Sequence, residues 1–255
     1  MKIVKVKYLK LTVLIVIVMM EQTLLLKRNV VPTGIALLDK RLDGGLPAGS
    51  FVCLYADPIA MPEAFLYQFA TVNKSIYITT NRPAKFILRD MQLMRLDTKN
   101  VQFIDAFTEY YINEYGQFVV EDRYRNKEIF DFVSETLDQA NDKEAAIIVD
   151  SISFFLSLDV EWGLKDWILN KLYSKSKESE NNVYVYLIKN LHPLSVVYKV
   201  LDLSDVVINV ESERVGERIV SKFALPKIRG RRPISEYFRF NIEEGVQVDT
   251  SRDIA

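Results

Sequence analysis

Only a handful of side chains in this sequence could do chemistry, and their scarcity is informative. One histidine, His192, and one cysteine, Cys53, are present. A lone imidazole excludes a multi-histidine metal centre, and a lone thiol excludes an intramolecular disulfide or a cysteine-rich zinc cage. Both counts suit a reducing, cytoplasmic setting. The other polar groups of interest stand where apolar runs break off. Asp150 closes Ala145-Ala-Ile-Ile-Val-Asp150, Asn81-Arg82 follows Ser75-Ile-Tyr-Ile-Thr-Thr80, and Ala56-Asp-Pro-Ile-Ala-Met-Pro-Glu63 follows Phe51-Val-Cys-Leu-Tyr55. Near the C-terminus, Lys227-Ile-Arg-Gly-Arg-Arg232 concentrates positive charge. On local grounds Asp150 caps the turn after a strand. The basic run is then a turn between antiparallel strands, balanced by acids such as Glu236. His192, beside Pro193, reads as a loop residue. Tyr110, Tyr111 and Tyr115 either cover core edges or offer faces that stack on bases or grip a peptide. Trp162 and Trp167 share with Leu164 and Ile168 a spacing that suits a buried helix face; exposed, the same rings would mark an interface.

These groups need a scaffold. The chain has 255 residues, 49% hydrophobic and 26% charged, enough to bury one sizeable core. Lys and Arg total 33 against 34 Asp and Glu, a formal net charge of -1, so any grip on nucleic acid or an anionic membrane must come from a local patch. From Val30 onward, runs of strand character alternate with helical spacing. Strands are expected at 51–55, 75–80, 101–105, 145–150 and 183–188, and helices at 62–72, 83–93, 126–140 and 164–177. Such alternation means parallel strands joined by crossover helices. From Asp205 the pattern becomes three short β-rich runs, 206–210, 219–225 and 236–242, which predict a meander. The stretch Glu109–Phe118 is the least regular and is expected to be a loop or small insertion. The expected fold class is therefore α/β: a mostly parallel central sheet with helices on both faces and a C-terminal antiparallel β extension, with residues 21–255 as one domain.

Residues 1–20 stand apart. Lys2, Lys5, Lys7 and Lys10 precede the apolar run Leu11–Met20, which is the charge order of a secretory signal. The run is short of the roughly 20 residues that span a bilayer, and Met19-Met20-Glu21-Gln22 offers no small-residue cleavage site. A misassigned start, with Met19 or Met20 as the true one, or an extra strand is the expected reading; a signal or interfacial anchor is the alternative.

Thr33-Gly-Ile-Ala-Leu-Leu-Asp-Lys-Arg-Leu-Asp-Gly-Gly-Leu-Pro-Ala-Gly-Ser50 resembles the lead-in segment of the RecA-like ATPases of the KaiC and RadA group, whose pattern is T-G-x-x-x-L-D-x-x-L-G-G-G-L-P-x-G-S. The resemblance resumes at Gln68-Phe69, Asp150-Ser151 and Lys227-Ile-Arg-Gly230, and covers roughly residues 30 to 248. It implies a RecA-like fold of the kind found in archaeal KaiC-like proteins.

In that group a phosphate loop G-D-P-G-S-G-K-T follows the first core strand. Ala56–Glu63 stands in its place and keeps only Asp57 and Pro58. A phosphate loop works because glycines let consecutive N–H groups curl around a phosphate, a lysine adds a mobile cation, and a Ser/Thr hydroxyl holds magnesium. Here Ile59 and Met61 stand at glycine positions with Ala60 between them. Pro62 replaces the lysine and removes a donor. Glu63 replaces the hydroxyl residue, and at 4 Å and an effective dielectric of 20 its carboxylate would repel one phosphate charge by about 4 kcal/mol. Relatives also carry an acidic pair after the next strand to activate water; Asn81-Arg82 cannot accept that proton. Asp150 stands where relatives place a magnesium-coordinating aspartate. Lys227 and Arg229 match a Lys-Met-Arg-Gly segment that in KaiC-like hexamers reaches the neighbouring subunit's nucleotide, with Ile228 in place of the methionine.

Position by position, the resemblance implies a protein that is no longer an ATPase, takes no cofactor or metal, and serves as a protein-binding adaptor or regulatory subunit in the cytoplasm. The implied partners are a paralogous RecA/KaiC-like ATPase receiving Lys227 and Arg229, another copy of the chain, or a peptide in the vacated cleft. Two alternatives remain: a recombination mediator of RadB type using Arg229, Arg231 and Arg232 on DNA, which the net charge does not support, and a weak ATPase with an unconventional nucleotide site. Membrane contact is expected only if residues 1–20 are a true anchor.

Overall fold

The computed structural model describes residues 30–119, 123–140 and 142–249, so the apolar run at 11–20 lies outside the described residues. Val30–Val31 (β1) and Leu46–Pro47 (β2) form a small antiparallel ribbon with Ala36–Arg41 (α1) between them. Phe51–Ala56 (β3), Ser75–Thr79 (β4), Val101–Asp105 (β5), Ala146–Asp150 (β6), Val183–Ile188 (β7) and Val206–Val215 (β8) are parallel neighbours in one sheet. Arg218–Ile228 (β9), Ile234–Glu243 (β10) and Gly245–Val248 (β11) extend it antiparallel. The strand order is β11-β10-β9-β8-β3-β7-β6-β4-β5. The crossovers contain Glu63–Val72 (α2), Ala84–Leu93 (α3), Ala106–Tyr111 (α4), Arg123–Gln139 (α5), Ile152–Ser157 (α6), Trp162–Glu178 (α7) and Leu194–Leu203 (α8).

The sheet is covered on both sides, so its interior strands lose polar alternation; every residue of β4 and β6 is buried. Alternate residues serve different layers. Val52, Leu54 and Ala56 pack with Phe65, Leu66 and Phe69 of α2, whereas Phe51 and Cys53 pack with Ile168 and Leu172 of α7 and Val197 and Val200 of α8. The first layer continues under the antiparallel extension, where the Phe65 ring meets Phe223 at 5.3 Å and Phe240 at 5.0 Å, both edge-on.

The Thr33–Ser50 segment folds as a clasp. Asp39 Oδ1 accepts from the Thr33 N–H and hydroxyl, each at 2.7 Å, and Oδ2 accepts from the Gly34 N–H at 3.1 Å. Gly45 has φ +144°, and a Cβ there would stand 2.1 Å from the Val31 carbonyl oxygen. The Thr-Gly, Asp and Gly-Gly of this segment thus hold the chain's entry to the sheet.

The expected fold class is the observed one, with several local differences. Helices α4 and α6 are short, and α6 is buried through Ile152–Leu156, so neither shows an amphipathic period. Glu109–Tyr111 belongs to α4, and only the remainder of the expected loop is a small turn closed by an Ile112–Phe118 bridge. Strands β8 and β9 run past the core as a long hairpin, where both faces turn polar and apolar runs no longer mark strand. Of the expected buried face, Ile168 is buried and Leu164 packs against the core, but Trp162 and Trp167 are 36% and 39% exposed, which corrects the reading for the two indoles: α7 completes its inward face with Leu169 and Leu172. Lys199 and Lys171 lie 4.8 Å and 5.4 Å from the two indole centroids. Among the described residues no helix is long and apolar enough to cross a membrane.

Candidate functional site

Open α/β sheets bind ligands beyond the carboxyl ends of their parallel strands. The structure brings Ala56–Glu63, Asn81, Arg82, Asp150 and His192 to that edge, because they follow β3, β4, β6 and β7 respectively. Lys227 and Arg229 end up at the opposite edge, since β9 runs antiparallel and Lys227 faces Val207 near the start of β8.

The turn after β3 is tightly self-bonded. The Asp57 N–H donates to the Val210 carbonyl at 3.1 Å. Asp57 Oδ1 accepts from the Ile59 N–H at 2.9 Å, and Oδ2 accepts from the Ser212 hydroxyl. Pro58–Ala60 then makes one 3-10 turn, with the Ala60 N–H on the Asp57 carbonyl at 3.0 Å and the Met61 N–H on that of Pro58 at 3.4 Å. Met61 is left-handed, φ 52°. The Ala64 and Phe65 N–H groups return to the Met61 and Pro62 carbonyls at 3.2 Å and 3.1 Å. Pro62 caps α2 and Glu63 sits in its first turn, where a carboxylate complements the helix dipole. Ala60 is buried, while Ile59 and Met61 project at 67% and 49% exposure. Burial works to raise the Asp57 carboxyl, but the Ser212 and Ile59 donors together hold it below its ordinary value.

Asp150 is buried at the end of β6. Tyr77 donates its phenol to Oδ2 at 2.9 Å, and Asn81 donates its amide to Oδ1 at 3.3 Å. Burial pushes the carboxyl up to about 6, against the Tyr77 hydrogen bond and the nearby Arg82 charge, which favour ionisation. Arg82 donates to the Tyr67 hydroxyl and pairs with Asp90 at 2.7 Å. The Asp150 carbonyl accepts from the Thr80 N–H at 2.7 Å, tying the ends of β4 and β6 together. The centre of the edge thus holds two polar clusters, Tyr77–Asp150–Asn81 and Tyr67–Arg82–Asp90, with the Arg82 charge near Asp150. Tyr67 and Tyr77 belong to no motif in the sequence; their polar tips within apolar runs are the one signal that could have found them. Among the described residues no cluster of His, Cys, Asp and Glu could hold a metal ion.

The other candidate residues are dispersed. Lys189, after β7, pairs with Glu211 at 3.2 Å and lies 5.1 Å from the Tyr55 ring centroid. His192 is held below its ordinary value by burial and by Lys165, which favours the neutral ring at pH 7. Tyr110 and Tyr111 pack their rings 5.1 Å and 6.2 Å from Phe154, whereas Tyr115 is exposed. The Cys53 thiol is buried and pushed up to about 12, hence protonated. At the opposite edge Lys227 donates to the Leu201 and Asp202 carbonyls at 2.7 Å and 2.9 Å, the last turn of α8. Arg229 pairs with Asp205 at 3.0 Å and reaches the Asp202 carbonyl at 3.1 Å. In this chain both cations hold the end of a helix of their own subunit.

The model of a family of unknown function, DUF7125, matches residues 30–255. No curated protein matches the chain. Among solved structures, the KaiC-like protein PH0186 from the hyperthermophilic archaeon Pyrococcus horikoshii OT3 is similar to it with a TM-score of 0.66, at 16% identity over 86% of this chain and 98% of that one. That likeness shows the fold, a RecA/KaiC-like α/β architecture.

Proposed function

The chain belongs to the family of unknown function DUF7125, and from that footing, with its KaiC-like fold, we propose that it is a non-catalytic form of that fold acting as a protein-binding adaptor or regulatory subunit. One observation carries the reading: most of the backbone donors where a phosphate cradle would lie are committed to the turn itself. The N–H groups of Ile59, Ala60, Met61, Ala64 and Phe65 all bond to oxygens of residues 57–62, and prolines 58 and 62 have none to offer. A phosphate placed there would meet few free donors, the exposed side chains of Ile59 and Met61, and the Glu63 carboxylate. The partners already engaging Asp150, with Asn81 and Arg82 in place of a water-activating acid, support the same conclusion.

The adaptor half rests on what the edge displays instead. Ile59 and Met61 project after β3, and Leu191 and Leu194 are exposed after β7, the strand beside it. Single exposed apolar residues need no explanation, but several on adjacent strand ends suit a protein partner. Donation of Lys227 and Arg229 to a neighbouring ATPase would first have to break their bonds to α8 and Asp205, so the contact surface is assigned to the carboxyl edge.

Calorimetric titration with ATP and magnesium tests the first half: no micromolar binding and no hydrolysis are expected, and either one would overturn it. For the second, a partner purified with the protein from its native cell is expected to be lost on Ile59→Asp together with Leu194→Asp. A partner retained by that variant would place the interface elsewhere.

A further inference from the structure

The cations of the run Lys227–Arg232 have different fates. Lys227 and Arg229 hold the end of α8, and Arg231 reaches the Leu42 carbonyl at the end of α1, 3.4 Å away. Arg232 has no hydrogen bond or ion pair among the described residues. It lines a cavity of about 550 Å³ together with Arg41, Pro233, Ile234, Ser235 and Glu236. The cavity opens where β10 departs from its neighbour: Ile234 faces Leu225 and Phe238 faces Phe223, four steps along β10 against two along β9. Arg41 closes the other side from the last turn of α1, its guanidinium 5.6 Å from the Phe238 ring centroid and 3.4 Å from Glu236.

We propose that this cavity binds a small phosphate-bearing molecule, with Arg41 and Arg232 on the phosphate and Pro233 and Ile234 against the body of the ligand. Two guanidinium forks facing one space match the geometry of phosphate oxygens. The volume lies within the small-ligand range of roughly 300–1,000 Å³ and exceeds what inorganic phosphate alone would fill. Glu236 is the one carboxylate in the lining, and both it and Arg41 are more than half exposed. Such a pair holds weakly, so a doubly charged phosphate displaces Glu236 from Arg41. The site lies away from the carboxyl edge and stands or falls independently of the adaptor reading.

The test is calorimetric titration of the full chain at low ionic strength, with phenyl phosphate and inorganic phosphate as probes. Saturable binding of phenyl phosphate at one site, tighter than that of inorganic phosphate, is expected. Arg41→Gln and Arg232→Gln should each weaken it about tenfold, Glu236→Gln should tighten it, and Lys85→Gln on α3 should leave it unchanged. All four positions are exposed, and the opposite sign at Glu236 separates lost binding from lost folding. The proposal is overturned by no saturable binding, by equal affinity for the two probes, or by indifference to the two arginine changes. It is equally overturned if a short single-stranded DNA binds through Arg41 and Arg232 while phenyl phosphate does not.

Discussion

Tyr77 and Asp150 sit on neighbouring strands, and the tyrosine phenol donates to the buried carboxylate at 2.9 Å. With the Asn81 amide on the other oxygen at 3.3 Å, each carboxylate oxygen has a neutral donor, and burial still dominates, pushing the group up to about 6.

Stability should therefore fall as Asp150 ionises. A folded-state value above the unfolded value of 3.8 means that the native protein holds the proton longer, so the contribution is complete below pH 4 and is lost as pH rises through about 6. The difference between those two values corresponds to about 3 kcal/mol. Asp150→Asn removes this dependence. Urea unfolding between pH 4 and pH 7 should show wild type losing stability relative to the variant; a pH-independent difference would mean that the carboxyl titrates normally.

Asp205 is a structural hub at the opposite edge. It is buried, accepts from the Phe51 N–H at 2.9 Å, and pairs with Arg229 at 3.0 Å and with Lys177. Asp205→Ala leaves the Phe51 N–H without its acceptor and Lys177 and Arg229 without their carboxylate, with carbonyls such as those of Gly49 and Asp202 still in reach, and should cost about 3–5 kcal/mol. Arg229→Ala removes a side chain 57% exposed and should cost about 1 kcal/mol or less. Chemical denaturation of both variants measures the ratio; equal losses would show that Arg229 is the member that matters.

Gly45→Ala should be far more damaging than Gly216→Ala. Both glycines have positive φ, but a Cβ at Gly45 meets the Val31 carbonyl at 2.1 Å, whereas at Gly216 it meets nothing within 4 Å. The first change should cost more than about 2 kcal/mol, the second about 1–2 kcal/mol from the left-handed backbone alone. Thermal unfolding distinguishes them.

Met61→Gly should raise stability by about 1 kcal/mol, since Met61 holds φ 52° and its side chain is half in solvent. Ile59→Asp should leave stability within about 0.5 kcal/mol. A large loss from Ile59→Asp would show that the exposed isoleucine supports the fold rather than a contact.

The alternation of strand and helix was legible because the interior strands are short β-branched apolar runs bounded by turn residues, as Ser75–Thr79 is, and the longer crossover helices, such as Glu63–Val72, carry apolar residues at helical spacing. Helix α6 was not, because its six residues are too few, and five of them too uniformly buried, to carry a periodic signal. The tryptophans misled for a related reason: Trp162 and Trp167 lie at a core-like spacing, but which face of α7 turns inward is set by the sheet beneath it.

By itself the sequence determined the fold class and the side chains with which any chemistry would have to be done, because periodicity and residue type are local properties. The tertiary structure alone decided how those groups are committed. That Asp57 meets Ser212, that Asp150 lies beside Tyr77, and that Arg229 finds Asp205 while Arg232 finds nothing among the described residues all follow from strand order and register. Hydrogen bonds and ion pairs act over a few ångströms in space, and only the folded chain sets those distances.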